Sequence, residues 1–311
     1  MDLDLATLLK DGPKSISELA QATSSHPEAL YRLLRFLANE GIFTEMENRV
    51  FAQNEMSLLL RGDMQVSLQG YVKNLLLSHE LAWKTLSHLP HSVKTGESAF
   101  RQAFEGMSFW EYLNNNPEIG QLFSQNMASF SSTYENAIVS GCNLLDIQTV
   151  ADVGGAYGTL LIAILKANPH LRGVLFEQPA VIEDAQKHIS GSEVADRCTL
   201  EAGSFFESVP AGVDAYFMRY ILHDWNDESC LQILKNCRKF SPNAKVLIVE
   251  HVIHPTHNSR FTLVHDLWML TLFDHAKERT ELEIRALLEA AGYRLNKVIP
   301  TDSPFSIGVP V

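Results

Sequence analysis

Residues 150–161, VADVGGAYGTLL, lie near the middle of the 311-residue chain and are the stretch from which its fold can be inferred. A short apolar run ends in three closely spaced glycines, Gly154, Gly155 and Gly158, and an apolar helical pattern follows. Glycine allows the backbone to approach a ligand that a side chain would block. The stretch therefore predicts a strand, a tight turn and a helix that together hold a small ligand.

Acidic residues flank this turn. Asp152 lies two positions before the first of the glycines, and Glu177 ends the next predicted strand. Position 156 is Ala, so the GxGxxG fingerprint of dinucleotide-binding turns is absent, and Asp152 would repel a pyrophosphate. A carboxylate favours a ligand with a positive centre or a free amine, and Glu177 can accept hydrogen bonds from both ribose hydroxyls. This pattern points to S-adenosylmethionine, whereas the glycines alone also suit a turn that only packs a helix on a strand.

Short apolar runs alternate with helical patterns after residue 145. The runs that read as strands are TVADVGG, GVLFEQ, CTLEAGS, VDAYFMRY and KVLIVEHVI. Such alternation predicts an α/β domain with a doubly wound, mostly parallel sheet over residues 146–311. Two final runs, YRLNKVIPT and FSIGVPV, are candidates to close the sheet.

The pattern before residue 145 is mainly helical. Ser15 and Ser17 are N-cap candidates, and Pro27 suits the first turn of the next helix. Residues 42–43 and 50–51 are short apolar pairs that flank a polar turn, as in a β-hairpin. This order predicts a winged-helix unit within a domain at residues 1–145. One apolar helical face is predicted from the spacing of Leu30, Leu33, Leu34 and Leu37.

Charge and cysteine content limit the possible functions. The chain carries 25 Lys and Arg against 37 Asp and Glu, a net charge of −12, which disfavours binding to nucleic acid or to an anionic membrane. The cysteines, Cys142, Cys198, Cys230 and Cys237, are scattered without a CxxC pair. Their spacing suits a reducing cytoplasm and predicts neither a disulfide framework nor a metal site. The first residues lack the features of a signal peptide, and no apolar run is long enough to cross a bilayer.

A second stretch, RYILHDWNDESC at residues 219–230, places His223 and Asp224 just after a predicted strand. Histidine titrates near neutral pH, so His223 is a candidate to take a proton from a substrate hydroxyl. Glu250, at the end of the next strand, and Glu278 are candidates to orient its ring and stabilise its cation. Both carboxylates are equally compatible with solvated surface positions.

Six segments taken together resemble the small-molecule O-methyltransferases of the caffeate and hydroxyindole type. They are DVGGAYG, FEQP, GSFFESVP, RYILHDWNDE, VLIVEHVI and KERTELEIRALLEAAGY, and the resemblance extends to the winged-helix segment. It implies a Rossmann-like class I methyltransferase domain behind a winged-helix dimerisation domain, S-adenosylmethionine as methyl donor, S-adenosylhomocysteine as product and a homodimer.

The resemblance also implies roles for single residues. His223 matches the general base, and Glu250 and Glu278 match the carboxylates that brace it. The implied cofactor site consists of Asp152, Gly154, Gly155, Gly158, Glu177, Ser204, Phe205 and Arg219. The implied acceptor site consists of Trp110, Phe123, Met127, Asp224, Met269 and Phe273, each of which also suits plain core packing.

The chain departs from the family pattern near both sites. Ser204 stands where the family usually has Asp, and Arg219 replaces the common Lys. The usual glycine pair before KERT is replaced by DHA, which adds His275. These changes affect the predicted adenine contact and the predicted wall of the acceptor pocket.

Two other classes of function stay open at this stage. A methyltransferase fold can host decarboxylation, hydroxylation or pericyclic chemistry, although His223, Glu250 and Glu278 favour methyl transfer. A winged helix can also bind DNA, but residues 1–65 carry six Lys and Arg against ten Asp and Glu and lack a basic stripe. We therefore expect a cytoplasmic enzyme whose partners are a small hydroxylated acceptor and a second copy of itself.

Overall fold

The computed structural model describes residues 3–64, 67–69, 72 and 79–310. The chain forms two compact units, Met1–His79 and Glu80–Val311. No helix among the described residues is both long and apolar enough to cross a membrane.

The first unit combines short helices with a three-stranded antiparallel sheet in the order β1-β3-β2. Ser15 caps its second helix in a capping box with Glu18, and Pro27 is the first residue of the third helix, as expected. The first hairpin strand begins at Thr44, two residues later than expected, and Phe43 before it is buried in the core. The elements are α1 (Leu5–Leu8), β1 (Lys14–Ser15), α2 (Ile16–Thr23), α3 (Pro27–Asn39), β2 (Thr44–Met46), β3 (Val50–Ala52) and α4 (Glu55–Leu58).

The expected apolar face of α3 is only partly buried within this unit. Leu30 and Leu34, one helical turn apart, are buried, whereas Leu33 is 45% exposed. Phe36, three positions further along, is 60% exposed. The helix therefore carries a second apolar surface in addition to the one that packs on its own core.

The second unit is built on a seven-stranded sheet with the order β11-β12-β8-β7-β4-β5-β6. The strands pair in parallel from β6 to β8, and β12 is antiparallel to both β8 and β11. The predicted doubly wound sheet and its two closing strands are thus confirmed. The strands are β4 (Thr149–Val153), β5 (Arg172–Glu177), β6 (Cys198–Ala202), β7 (Ala215–Arg219), β8 (Lys245–Glu250), β11 (Leu295–Pro300) and β12 (Ser306–Pro310).

Amphipathic helices and one small strand pair accompany this sheet. Strand β9 (Val252–Ile253) pairs in parallel with β10 (Arg279–Thr280) apart from the main sheet. The helices are α5 (His79–Ser87), α6 (Leu89–Thr95), α7 (Ala99–Ala103), α8 (Phe109–Asn115), α9 (Pro117–Gly141), α10 (Thr159–Ala167), α11 (Pro179–Ser190), α12 (Asp227–Phe240), α13 (Arg260–Leu272) and α14 (Glu281–Ala290).

The boundary between the compact units lies earlier than the one expected from sequence at residue 145. Helix α9 packs against α10 and β12, and both α6 and α7 pack against α13. Residues 80–145 thereby pack with the α/β sheet and its helices in one unit. Their sequence pattern is as helical as that of the first unit and does not reveal this packing. Their assignment to a dimerisation and lid domain at residues 1–145 stays a prediction.

The order of the strands determines where ligands can bind. The chain leaves β4 toward β5 on one side and later returns to β7 on the other, so a crevice opens at the carboxyl end of β4. Polar residues lie at or near the carboxyl ends of four neighbouring strands: Asp152 in β4, Glu177 in β5, Arg219 in β7 and Glu250 in β8. The adjacent parallel strands bring all four to one edge of the sheet.

Candidate active site

The glycine turn after β4 has no room for side chains. Gly154 has φ 72°, and a Cβ atom there would lie 2.4 Å from Cδ1 of Ile221. A Cβ atom on Gly155 would lie 2.4 Å from Oδ2 of Asp152. Ala156 adopts φ 51°, an unusual conformation for a residue with a side chain. The turn therefore requires glycine at both positions, and its role as a ligand cradle stays a prediction.

Two carboxylates border the turn. The backbone N–H of Ala156 donates to Oε2 of Glu177 at 3.1 Å, and the N–H of Gln178 donates to Oε1 at 2.7 Å. Asp152 is 1% exposed, and its Oδ2 has no hydrogen-bond partner among the described residues. Burial raises the pKa of Asp152 to about 7, with Arg219 opposing the shift and Glu177 adding to it. A cationic ligand group beside Asp152 would relieve this cost.

Arg219 supplies a buried positive charge at the same edge. Its Nη1 has no hydrogen-bond partner among the described residues, and burial lowers its pKa. Glu135 of α9, which no sequence motif singles out, has a buried Oε1 without a hydrogen-bond partner in the described part of the chain. Burial raises the pKa of Glu135, while Arg219 opposes the rise. The spacing of residues in the long helical pattern of α9 does not reveal that Glu135 interacts with Arg219.

Residues 204 and 205 follow β6 on the other side of the turn. The backbone N–H of Phe206 donates to Oγ of Ser204 at 3.4 Å. The ring of Phe205 comes within 3.7 Å of the position that a Cβ atom on Gly154 would occupy. Phe205 thus lies against the glycine turn, and its predicted contact with the cofactor stays a prediction.

His223 lies in a short 3-10 helix, Leu222–Asp224, just after β7. Its side chain is 5% exposed, and its Nδ1 donates to Oε1 of Glu278 at 2.9 Å. Its Nε2 lies 3.3 Å from Oδ1 of Asp224. The candidate base and one candidate brace, 55 positions apart in sequence, are therefore in direct contact.

Glu250, the other candidate brace, contacts the backbone and not the imidazole. Its Oε1 accepts the N–H groups of Ile221, Leu222 and His223 at 3.2, 2.7 and 3.3 Å. Arg279 holds the same loop from the opposite side, where its guanidinium donates to the carbonyl oxygen of Leu222 at 2.6 Å. Glu250 and Arg279 thus fix the turn that presents His223, and Glu278 fixes its ring.

The charges around His223 strongly favour its cationic form. Burial lowers the pKa of this imidazole, but Asp224, Glu278 and Glu250 outweigh burial and raise it to about 10. Burial raises the pKa of Asp224 to about 7 against the pull of His223. Burial also opposes the charge of Glu278, yet contacts with His223 and His265 lower its pKa to about 2. Glu278 is therefore the carboxylate that stays ionised across the physiological range.

Aromatic residues expected in the acceptor wall lie together. The ring of Trp110 is 5.9 Å from that of Phe123 and 5.4 Å from that of Phe273. Met269 is buried in the same cluster, and Met127 lies one turn beyond Phe123 on α9 and is half-buried. The indole Nε1 of Trp110 is buried without a partner among the described residues. This cluster offers flat apolar surfaces and one hydrogen-bond donor.

Two further histidines near the site have different surroundings. His275, in the segment that replaces the family's glycine pair, is exposed and has φ 62°. His265 of α13, which the sequence analysis did not select, donates from Nδ1 to Oε1 of Glu278 at 2.7 Å. The ligand atoms of His223, His265 and Glu278 lie within 4.8 Å of one another, a spacing that a metal ion could use. Hydrogen bonds already account for this contact, since Glu278 accepts from both imidazoles.

Comparisons with known proteins agree with this geometry. Residues 86–294 match the O-methyltransferase domain family, and residues 1–62 match the O-methyltransferase dimerisation domain family. The chain is 38% identical over 306 residues to a phenazine O-methyltransferase from Lysobacter antibioticus, covering 98% of this chain and 88% of that protein.

Solved structures give the same result. A mitomycin 7-O-methyltransferase aligns with a TM-score of 0.88 and 35% identity, covering 99% of this chain and 91% of that one. An O-methyltransferase from neocarzinostatin biosynthesis, solved with S-adenosylmethionine and 2-hydroxy-5-methyl naphthoic acid, aligns at 0.82 and 29% identity, covering 100% and 93%. The predicted Rossmann-like fold, dimerisation domain and cofactor are thereby confirmed. The chain belongs to the family of S-adenosylmethionine-dependent O-methyltransferases.

Proposed function

We propose that this enzyme methylates a hydroxyl group of a small aromatic or polyketide-like molecule and that His223 is the general base. The observation that carries the proposal is the position of His223. It lies at the same edge of the sheet as the glycine turn. Its side chain is buried and is held by the ionised Glu278. A buried imidazole oriented by a carboxylate is the arrangement that general-base chemistry requires.

The residues at the glycine turn fit the cofactor. Asp152 and Arg219 offer buried atoms of opposite charge that have no partner among the described residues, and these suit the amino and carboxylate groups of a methionine moiety. Glu177 is the candidate to accept hydrogen bonds from the ribose, and Ser204 and Phe205 are candidates to flank the adenine. When bound, S-adenosylmethionine supplies an electrophilic methyl group attached to a positively charged sulfur.

His223 needs a free lone pair to act as a base. Donation from Nδ1 to Glu278 leaves Nε2 as the nitrogen that meets the acceptor hydroxyl. Asp224 now lies next to Nε2, and its charge is the largest of those that raise the pKa of His223. We infer that the acceptor hydroxyl replaces Asp224 at Nε2, which lowers the pKa of His223 toward neutrality. His223 then removes the hydroxyl proton as the oxygen attacks, and positioning of the two reactants supplies much of the remaining rate.

The proposed acceptor class follows from the aromatic cluster. Trp110, Phe123 and Phe273 offer edges and faces against which a planar ring can pack, and Met269 adapts to its outline. Apolar walls with few polar groups are typical of pockets for drug-sized ligands. The relatives named above as phenazine and mitomycin O-methyltransferases, and the neocarzinostatin enzyme solved with 2-hydroxy-5-methyl naphthoic acid, support the same class here.

A homodimer is the proposed assembly. Residues 1–62 match a dimerisation domain family, and α3 exposes Leu33 and Phe36 by 45% and 60%. Exposed apolar side chains in a domain of this kind are suited to contact a second copy.

Calorimetric titration with S-adenosylhomocysteine, with NADH as the control, tests the cofactor first. Micromolar binding of the first compound alone is the expected result. Phenolic acceptors are then screened with the native enzyme, with His223→Ala and with His257→Ala, which removes an exposed imidazole outside the site. We expect His223→Ala to lower kcat by about 10²–10⁴-fold without loss of S-adenosylhomocysteine affinity.

The same screen separates the rival functions. Full turnover by His223→Ala would show that another group takes the proton. Consumption of an acceptor without formation of S-adenosylhomocysteine would favour non-methylating chemistry. Tight binding to a DNA duplex at low salt, measured by gel shift, would favour a DNA-binding function of the winged-helix unit.

A further inference from the structure

One oxygen atom of Glu278 serves two imidazoles. Oε1 accepts from Nδ1 of His223 at 2.9 Å and from Nδ1 of His265 at 2.7 Å. The Glu278 side chain is 0% exposed, and its Oε2 has no partner among the described residues. The only side chains that stabilise this buried charge by hydrogen bonds are therefore, within the described structure, His223 and His265.

Packing fixes the orientation of His265. Its ring is parallel to that of Tyr220 within 6° at 5.2 Å and parallel to that of His223 within 5° at 5.6 Å. Phe261, one turn earlier on α13, lies 6.1 Å from the same ring. Tyr220 in turn shares a hydrogen bond of 2.5 Å with Nε2 of His251. With its neighbours held in this way, the ring of His265 keeps its Nδ1 directed at Glu278.

Both donors stabilise the charge of the carboxylate, so each receives only part of it. An isolated buried carboxylate takes up a proton, because burial disfavours the charged form. Both imidazoles oppose that effect at Glu278, and its pKa falls to about 2. A carboxylate whose charge is shared between two donors also binds each of them less strongly than it would bind one alone.

We propose that His265 is a positioning residue of the methyltransferase reaction, which shares the charge of Glu278 Oε1 with Nδ1 of His223 and so moderates the basicity of that imidazole. The proposal rests on the proposed role of His223 and extends it to a residue that does not contact the reacting atoms. Besides Glu278, the charged and titratable groups near the two imidazoles in the described part of the chain are Asp224, Glu250, His251, Asp266, Arg279 and Tyr220, which stacks on both rings.

The first test is proton NMR of the whole enzyme, which requires no turnover. A ring N–H that donates to a buried carboxylate resonates far downfield, so Nδ1 of His223 and Nδ1 of His265 should each give such a signal, in addition to the signal of Nε2 of His223 beside Asp224. His265→Phe, which keeps a ring in the stack, should remove one signal and move that of Nδ1 of His223 further downfield as Glu278 binds His223 alone. The signals that are lost in His223→Phe identify Nδ1 and Nε2 of His223. An unmoved Nδ1 signal of His223 in His265→Phe would refute the proposal.

The second test is the pH profile of kcat. We expect the acidic limb of the His265→Phe profile to move to higher pH by about one unit. The charge of Glu278 then acts on His223 alone and raises the pKa of that imidazole. That shift corresponds to an about tenfold lower rate on the acidic side and the same plateau at high pH. His265→Asn, which restores an N–H donor, should return the limb toward its native position. His257→Ala, an exposed imidazole just before α13, should leave the profile unchanged.

The outcomes separate the two levels of inference. A rate lowered equally at every pH in His265→Phe, with no rescue by His265→Asn, would show that His265 only supports packing. The His223 signal could move downfield in His265→Phe while His223→Ala keeps full activity. That result would support the sharing of Glu278 between the two imidazoles and refute the role of His223 as the base. If His265→Phe does not fold, His265→Asn alone decides, since the proposal predicts a His223 signal close to native for that variant.

Discussion

Replacing Glu278 with Gln keeps the size of the side chain and removes its charge. The carboxylate accepts from His223 at 2.9 Å in a fully buried position, so solvent does not screen the contact. A hydrogen bond to a charged group contributes about 1.5–3 kcal/mol. Each loss of about 1.4 kcal/mol in transition-state stabilisation lowers the rate tenfold. Glu278→Gln should therefore lower kcat by about 10- to 150-fold.

The assay is the initial rate of methyl transfer as a function of pH, combined with calorimetry of S-adenosylhomocysteine. Removal of this negative charge lowers the pKa of His223, so the acidic limb should move to lower pH while the plateau falls. Cofactor affinity should not change, because Glu278 does not touch the glycine turn. Glu283→Gln is the matched control, since its pKa is also lowered to about 2 but its partners are Lys277 and Thr280. Retention of native kcat, or a loss confined to cofactor affinity, would refute the reasoning.

Three other perturbations address the turn, the buried acid and the proposed dimer. Gly155→Ala places a Cβ atom 2.4 Å from Oδ2 of Asp152, so calorimetry should show loss of S-adenosylhomocysteine binding while circular dichroism stays native. The pKa of Asp152 is raised to about 7, so the folded state binds an extra proton between about pH 4 and 7, and stability falls as pH rises through this window. Thermal melts of the ligand-free Asp152→Asn variant should lack this decline, so that its Tm advantage over the native enzyme grows up to pH 7 and is constant above it. Substitution of both Leu33 and Phe36 by Ser should shift sedimentation toward monomer, whereas Leu282→Ser, 75% exposed in the other unit, should not.

Local sequence was sufficient where one short segment builds a feature by itself. The glycine turn was predictable because its glycines, its acid and its flanking apolar runs are contiguous. The strands of the sheet were predictable because each is an apolar run bounded by polar residues, and their alternation with helices limits the topology. His223 and Asp224 were selected because they directly follow such a run.

Features that depend on packing between distant segments were not predictable in the same way. Glu250 and Glu278 were both expected near the ring of His223, yet Glu250 satisfies three backbone N–H groups while only Glu278 contacts the imidazole. His265 and Glu135 lie within helical patterns whose spacing does not reveal what they face. Leu33 belongs to an apolar stripe, but sequence periodicity does not tell which part of a stripe packs on its own core and which stays exposed.

The small β9–β10 pair explains how two carboxylates from distant segments come to serve one histidine. The parallel register aligns Arg279 with Val252, so Glu278 and Arg279 enter the site next to the end of β8, where Glu250 lies. Arg279 then donates to the carbonyl oxygen of Leu222, while Glu250 accepts the N–H groups of the same turn. In the loop that carries His223, the negative charge of Glu250 therefore accepts from backbone N–H groups, and the positive charge of Arg279 donates to a backbone carbonyl oxygen. Because Glu250 and Arg279 fix this loop, the ring of His223 stays within hydrogen-bond reach of Glu278. The contacts with His223 and His265 keep that carboxylate ionised, so its charge is available to orient the base.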